Sequence, residues 1–168
     1  TETPFSLAPD VYRFNVQAQN TTGQVSAVST GQVGVFATAT GSDTLLGTAG
    51  NDRINAGEGT NTVSTGGGQD ILYLGGYLTQ GSNTGVSSTT ITDFKVGQDK
   101  LDLTGVFEPG TVNSSNLLQF VSQSVSGGDT TLTIDSNGSA AGGTIHTVIL
   151  KNVPQIPLDN SVFNYIVL

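Results

Sequence analysis

The hydrophobic and polar positions of residues 38–73 repeat with a period of nine. In blocks of nine, the stretch reads TATGSDTLL, GTAGNDRIN, AGEGTNTVS and TGGGQDILY. The fourth position is always glycine, the sixth is a carboxylate or its amide, and the eighth is aliphatic. A glycine-rich turn of about six residues, followed by a short strand with one inward aliphatic side chain, accounts for this pattern. Successive turns then lie at alternate ends of a flattened coil, so that same-end neighbours are two blocks apart.

This two-block spacing brings the sixth positions together in pairs. Asp43 pairs with Asn61, and Asp52 pairs with Asp70. Because stacked strands lie about 4.8 Å apart, Asp52 and Asp70 would repel each other by roughly 3 kcal/mol at an effective dielectric constant of 20. A divalent cation between the turns reverses the sign of this interaction. We therefore predict that calcium is part of the fold and that the roll is disordered without it. Ordinary turn chemistry, the alternative, does not explain four blocks in register.

The rest of the chain also has the pattern of strands. Before the repeats, we predict strands over residues 11–18, 24–29 and 33–37, which we interpret as a cap on the first rung of the stack. After them, the register ends at Leu74, and strands are predicted over residues 117–122, 130–135, 144–150 and 162–168. The predicted fold is all-β, with a short calcium-bound parallel β-roll (38–80) between N-terminal capping strands (1–37) and a C-terminal antiparallel sandwich-like unit (81–168).

Composition and charge exclude several classes of partner and site. The formal net charge of −8 argues against a nucleic-acid partner, and it favours a cationic counterpart such as a metal ion. The chain has no cysteine, which excludes disulfides and thiolate metal sites. No apolar run is long enough for a membrane span. The missing methionine indicates a piece of a longer protein, and we expect a monomer.

Catalysis finds little support in the sequence. The single histidine, His146, lies in the middle of a predicted strand, and we interpret it as a strand-surface residue. The chain has no GxSxG, HExxH or P-loop lysine motif. Its carboxylates lie in glycine-rich turns, which suit a cation better than a catalytic pocket. The sequence therefore predicts that the chain is not an enzyme.

The four blocks resemble the glycine-rich calcium-binding nonapeptide repeat of RTX proteins. In that family, carbonyls of positions two and four and the acidic residue of one turn bind calcium, together with carbonyls of positions one and three and the acidic residue of the next turn at the same end. The resemblance implies one site formed by Thr48, Gly50, Asp52, Thr65, Gly67 and Asp70. It implies a second formed by Ala39, Gly41, Asp43, Ala56, Glu58 and Asn61. We expect the second site to be weaker because Asn61 replaces a carboxylate, although Glu58 adds a nearby negative charge.

The segment ITDFKVGQDKLDLTGVF, from Ile91 to Phe107, resembles the D-F-x-x-G-x-D-x-L-D-L segment that follows RTX repeats in many secreted proteins. It predicts a strand, a turn and a second strand, with Phe94, Leu101 and Leu103 in the core. A further calcium site is predicted at the end of the roll from three carboxylates: Asp93, Asp99 and Asp102. Ordinary turn and surface roles for these carboxylates are the alternative.

The C-terminal part resembles the target domain of large proteins exported by type I secretion, including the end SVFNYIVL after Asp159. Residues 1–37 loosely resemble the last strands of an adhesin module. The resemblance implies a secreted, extracellular, non-catalytic module of a bacterial RTX adhesin, which folds on extracellular calcium and contacts the type I secretion machinery through its C-terminus. Two alternatives stay open. One is an accessory module of a secreted protease, lipase or polysaccharide-modifying enzyme, and the other is a calcium-dependent glycan-binding module.

Overall fold

The computed structural model describes residues 12–13, 33–36, 42–74, 87–107, 110–113, 115–138, 145–158 and 166–168. In these ranges the chain forms twelve strands and one single-turn 3-10 helix, Leu117–Gln119. The strands are β1 (Tyr12–Arg13), β2 (Val33–Phe36), β3 (Thr44–Leu46), β4 (Asp52–Asn55), β5 (Thr60–Ser64), β6 (Ile71–Tyr73), β7 (Ser87–Ile91), β8 (Lys100–Asp102), β9 (Val121–Ser126), β10 (Asp129–Asp135), β11 (Ile145–Leu150) and β12 (Ile166–Val167). The predicted all-β class is confirmed.

The strands form two six-stranded sheets. The first sheet has the order β1-β2-β4-β6-β8-β12, and the second has the order β3-β5-β7-β11-β10-β9. Within the repeats, consecutive strands alternate between the sheets and pair in parallel with the strand two blocks away. Leu45 lies opposite Val63, and Ile54 lies opposite Leu72. This is the predicted spacing of 18 residues, and it confirms the flattened coil.

The core lies between the sheets and is built from the eighth position of each block. These four aliphatic side chains are at most 1% exposed. The column in the second sheet continues from Val63 to Ile91, and the column in the first sheet continues from Leu72 to Leu101. Phe94, Leu101 and Leu103 are buried, as predicted. Each rung therefore contributes one large apolar side chain, whose burial stabilises the stack by roughly 1.5–3 kcal/mol.

Both sheets continue beyond the repeats. Before the repeats, β2 pairs in parallel with β4, and β1 is antiparallel to β2. After them, β7 and β8 add a rung on β5 and β6, with register spacings of 28 and 29 residues instead of 18 because the connection after β6 is longer. Parallel pairs then place β11 beside β7 and β12 beside β8. Strands from before and after the repeats therefore belong to the same two sheets as the repeat strands.

The antiparallel part is a meander of β9, β10 and β11, which joins the second sheet through β11. The strand predicted from residue 117 begins instead at Val121, because residues 117–119 form the 3-10 helix. Local hydrogen bonds wind the chain into this turn: the Leu117 N–H donates to the Asn113 carbonyl, and the Asn113 N–H donates to Asn116 Oδ1. Phe107 and Phe120 pack edge to face beside it, with ring centroids 5.6 Å apart.

Some predicted strands extend past the described ranges. The strand predicted over residues 24–29 lies outside the described residues, and only Tyr12–Arg13 and Ile166–Val167 are described from the strands predicted at 11–18 and 162–168. In the part of the chain that is described, no helix is long and apolar enough to cross a membrane.

Candidate metal centre

The candidate site lies in a stack of turns at one end of the roll, where the chain passes from the second sheet to the first. This stack, called turn stack A, consists of the turns 47–51, 65–69 and 92–99. Backbone hydrogen bonds hold the first two levels together. The Gly47 N–H donates to the Ser64 carbonyl at 2.7 Å, and the Gly67 N–H donates to the Thr48 carbonyl at 2.8 Å. The opposite end carries turn stack B, in which the turn 56–59 is followed by Asn61, and Asn61 contacts Asp43.

Asp52 and Asp70 meet between the first two levels of turn stack A, as predicted. The Asp52 N–H donates to Asp70 Oδ1 at 2.8 Å. The Asp52 carboxylate accepts hydrogen bonds from the backbone N–H and the hydroxyl of Thr48. Both aspartates are almost completely buried. Asp70 Oδ2 is also buried, and it has no hydrogen-bond partner among the described residues. We call this contact the Asp70 joint.

The electrostatics of the Asp70 joint disfavour a negative charge. The pKa of Asp70 rises from 3.8 to about 6, first because burial disfavours the ionised carboxylate and then because Asp99 and Asp52 are close. The hydrogen bond from the Asp52 N–H and the Lys95 ammonium lower this pKa, but they do not offset the rise. A buried carboxylate oxygen without a donor normally carries a large free-energy cost. Among the described residues, no hydrogen-bond donor offsets this cost at Asp70 Oδ2.

Calcium fits this arrangement. It prefers oxygen ligands, with carboxylates and backbone carbonyls in one shell. The joint supplies two buried carboxylates, and the predicted carbonyl ligands Thr48, Gly50, Thr65 and Gly67 all lie in the two turns. Among the described residues, no three or more His, Asp or Glu side chains gather into a metal cluster. A site here would therefore depend on backbone carbonyls for most of its ligands, and ligation by these residues stays a prediction.

The third level of turn stack A holds Asp93 and Asp99 but not Asp102. Asp93 accepts hydrogen bonds from the backbone N–H groups of Thr65 and Gly66 at 2.7 and 3.0 Å, and from the Ser64 hydroxyl. Burial raises the pKa of Asp93, but these hydrogen bonds outweigh it and hold the pKa below its ordinary value. Asp99 accepts the backbone N–H groups of Asp70 and Lys95.

Asp102 lies apart from this pair, at the opposite end of β8, beside Tyr73. Its carboxylate caps the following turn by accepting hydrogen bonds from the N–H and the hydroxyl of Thr104. Asp102 is therefore not brought together with Asp93 and Asp99. The spacing along the sequence does not reveal this, because the short strand β8 carries the chain from one end of the roll to the other.

In turn stack B, Asn61 occupies the place that Asp70 has in turn stack A. The Asp43 N–H donates to Asn61 Oδ1 at 3.0 Å. The Asn61 Nδ2 group donates to the carbonyls of Ala56 and Glu58, at 2.5 and 3.2 Å. We call this contact the Asn61 joint. Two predicted ligands of this site, Ala39 and Gly41, lie outside the described residues.

Lys95 and Gln98 were not singled out from the sequence, but both close the third level of turn stack A. The Lys95 ammonium donates to the Gly66 carbonyl at 2.8 Å, and Gln98 Nε2 donates to the Gly68 carbonyl. We call this contact the Lys95 joint. The only sequence signal was their position in a turn that follows the repeats, and a lysine or glutamine in a polar turn is usually exposed to solvent.

His146 is buried, so the predicted surface position is wrong. The alternation of β11 places it on the inward face together with Val148 and Leu150. Its Nδ1 atom lies 2.6 Å from the Ser87 hydroxyl, across the parallel pair of β11 and β7. Burial lowers the pKa of His146, which favours the neutral ring.

Comparisons with known proteins agree with this geometry. No curated protein sequence is detectably similar to this chain. Among solved structures, the chain is similar to the AlgE6R3 subunit of the mannuronan C5-epimerase from Azotobacter vinelandii, with 28% sequence identity and a TM-score of 0.51. The match covers 73% of this chain and 67% of that subunit. A family model for the RTX calcium-binding nonapeptide repeat matches residues 38–72 in four copies. The RTX calcium-binding repeats therefore include the first two levels of turn stack A and the residues of the Asn61 joint, but not the level at 92–99.

Proposed function

We propose that this chain is a non-catalytic module of a secreted protein that binds calcium at the Asp70 joint and folds on it. The observation that supports this function best is Asp70 Oδ2, a buried carboxylate oxygen without a hydrogen-bond donor. The four RTX repeats and the backbone carbonyls of the two turns support the same ion. In the described part of turn stack A, the carboxylates of Asp70, Asp93 and Asp99 accept hydrogen bonds from a neighbouring level, which suits a structural role.

The chain's own residues prepare this site. Asp52 is held by Thr48 of its own turn, and its N–H fixes Asp70 Oδ1. Asp70 Oδ2 stays buried and has no donor among the described residues. Bound calcium would supply the positive charge that offsets the repulsion between the two carboxylates. Since the two turns belong to different rungs, a ligand shared by them links the rungs and stabilises the stack.

Circular dichroism and thermal unfolding with and without calcium test this function. In EDTA we expect a weaker β-sheet signal and a lower melting temperature than in 10 mM calcium. For a dissociation constant of about 10⁻⁴ M, which is in the extracellular range, the stabilisation is about 2.7 kcal/mol. Magnesium at the same concentration is the control, and it should stabilise less because it demands a stricter geometry. Identical spectra and melting temperatures in EDTA and in calcium would refute the proposal.

The calcium response should also depend on pH through Asp70. Because the pKa of Asp70 is raised in the metal-free fold, its contribution to stability is present below its ordinary pKa of 3.8 and is lost as the pH rises through about 6. Calcium requires the ionised carboxylate, so its affinity should fall roughly tenfold per pH unit below pH 6. The gain in melting temperature should therefore be smaller at pH 5 than at pH 7. An equal gain in melting temperature at pH 5 and pH 7 would show that the calcium response does not depend on the ionisation of Asp70.

The place of the module in its parent protein is a further part of the proposal. The resemblance of the C-terminal part to type I secretion targets supports export in an unfolded, calcium-free state, followed by folding outside the cell. The loose resemblance of residues 1–37 to an adhesin module favours a surface adhesin as the parent. Export of the chain by cells with a type I machinery, compared with a variant that lacks residues 159–168, tests the secretion step. Equal export of both would contradict it.

An accessory module of a polysaccharide-modifying enzyme is the second candidate. The structural similarity to a subunit of a mannuronan C5-epimerase favours it specifically. The two candidates differ in one observable, which is binding of the folded module to mannuronan in the presence of calcium. Binding detected by calorimetry would favour the accessory module, and its absence would favour the adhesin.

A further inference from the structure

The Asn61 joint is closed by the protein's own nitrogen donors. Asn61 is 1% exposed, and its amide makes three hydrogen bonds inside the joint. Its partners fix the orientation of the amide: Oδ1 faces an N–H group, and Nδ2 faces two carbonyl oxygens. The Nδ2 group therefore contacts the carbonyls of Ala56 and Glu58, which the resemblance to the RTX repeat assigns to calcium. At these two oxygens, an NH₂ group of the protein lies where the resemblance places a calcium ion.

The Lys95 joint follows the same principle with different side chains. The Lys95 ammonium and the Gln98 amide donate to the carbonyls of Gly66 and Gly68. Both oxygens of Asp93 also accept hydrogen bonds from the 64–66 segment. Asp93, one of the three carboxylates predicted to bind calcium here, therefore accepts a protein donor at each oxygen.

The Asp70 joint differs from both. Asp70 Oδ1 accepts an N–H from the neighbouring turn, as Asn61 Oδ1 does, but its second atom is an oxygen without a donor. Where Asn61 has an NH₂ group facing carbonyls, Asp70 has a negative oxygen. At the sixth position of the repeat, one end of the roll therefore has an amide that donates to carbonyls, and the other end has a carboxylate that lacks a donor.

We propose that side-chain nitrogen donors replace calcium at the Asn61 and Lys95 joints, so that of these three joints only the Asp70 joint binds the ion. This inference rests on the proposed calcium-binding function. It replaces the expectation of a weak calcium site at Asn61 and of a further site at Asp93 and Asp99. The Asn61 and Lys95 joints then hold their turns together in the absence of calcium. Along the roll, they lie on either side of the Asp70 joint, which responds to calcium.

Native mass spectrometry of the full chain in calcium tests the proposal by counting bound ions. Asn61→Asp should bind one calcium ion more than the wild type. Its carboxylate would face two carbonyl oxygens, and the repulsion between these oxygens can be offset only by a cation or a proton. In EDTA, its melting temperature should fall below that of the wild type. A calcium-ligating Asn61 would instead give Asn61→Asp an unchanged ion count with tighter binding, which would overturn the proposal.

Asn116→Asp is the matched control. Asn116 has the same bonding pattern, since its Oδ1 accepts the Asn113 N–H and its Nδ2 donates to the Thr111 carbonyl, but it lies in a solvent-exposed loop. We expect its ion count to equal that of the wild type. A gain in this variant would mean that added negative charge alone recruits calcium, and it would overturn the proposal.

Two milder variants keep the proposal testable if Asn61→Asp does not fold. Asn61→Ala and Asp93→Asn should both retain the wild-type number of ions, with a lower melting temperature for Asn61→Ala in EDTA. Loss of one ion in either variant would mean that its joint binds calcium, and would overturn the proposal for that joint. Asp70→Asn should lose one ion. If it does not, the proposed function fails at the Asp70 joint, whatever the outcome at the other two.

Discussion

A chain with asparagine in place of Asp70 is expected to lose its calcium response and to be more stable than the wild type in EDTA. Asp70 Oδ1 accepts an N–H group, as Asn61 Oδ1 does. The new amide would keep this bond and would place an NH₂ group where Asp70 Oδ2 now lacks a donor. The variant would therefore remove the buried negative charge from the Asp70 joint.

The size of this effect follows from the raised pKa of Asp70. A rise from 3.8 to about 6 corresponds to roughly 3 kcal/mol for ionising the carboxyl group in the metal-free fold at neutral pH. The variant avoids this cost, so its free energy of unfolding in EDTA at pH 7 should exceed the wild-type value by roughly 2–3 kcal/mol. Urea unfolding in EDTA and in 10 mM calcium measures both the stability of the metal-free fold and the gain from calcium.

Asp135→Asn provides the control for this substitution. Asp135 ends β10 in the antiparallel meander, and its carboxylate accepts the Asn137 N–H at 3.2 Å, outside the turn stacks. This variant should keep the full calcium response of the wild type. An Asp70→Asn variant that still gains stability from calcium would show that the ion binds elsewhere.

Alanine in place of Gly66 is expected to prevent the roll from forming, with or without calcium. Gly66 has φ of +87°, and a Cβ atom there would lie 2.0 Å from the Thr48 carbonyl oxygen. The two turns cannot move apart without loss of the hydrogen bond from the Gly67 N–H to that same oxygen. Because the clash involves backbone on both sides, we expect a loss of roughly 4 kcal/mol or more in the free energy of unfolding.

Gly97 provides a matched comparison within turn stack A. Its φ of +83° is nearly the same, but a Cβ atom there would meet nothing within 4 Å. Gly97→Ala should therefore cost only the left-handed backbone strain, about 1–2 kcal/mol. Urea unfolding of both variants in saturating calcium distinguishes the cost of left-handed backbone strain from the cost of the clash between turns. Similar losses in the free energy of unfolding for the two variants would mean that Gly66 does not lie against the Thr48 carbonyl.

The repeat pattern predicted the centre of the molecule well because its geometry is local and periodic. One inward aliphatic side chain per block fixes which face of each strand is buried, and the turn length fixes the partner two blocks away. Both features follow from the residues themselves, and Leu45 opposite Val63 illustrates the result. The pairing of Asp52 with Asp70 follows from the same spacing.

The continuation of the roll could not be predicted in the same way. Ile91 and Leu101 occupy the next rungs, but they are 28 and 29 residues from their partners, and the periodic signal is lost across the longer connection. The nitrogen donors at the Asn61 and Lys95 joints were missed for another reason. A side chain's hydrogen-bond partners depend on which turns stack, and an amide or ammonium in a polar turn looks like any solvent-exposed group.

The order of the strands also determines where another chain can attach. Within the described residues, the second sheet ends at one side in the three-residue β3, and such a short edge offers little unpaired backbone. The other side of the second sheet ends in β9, six residues (VSQSVS) without charge or proline, in which Val125 is 47% exposed. Of the two edges of the second sheet, β9 is the more open to strand addition and to self-association.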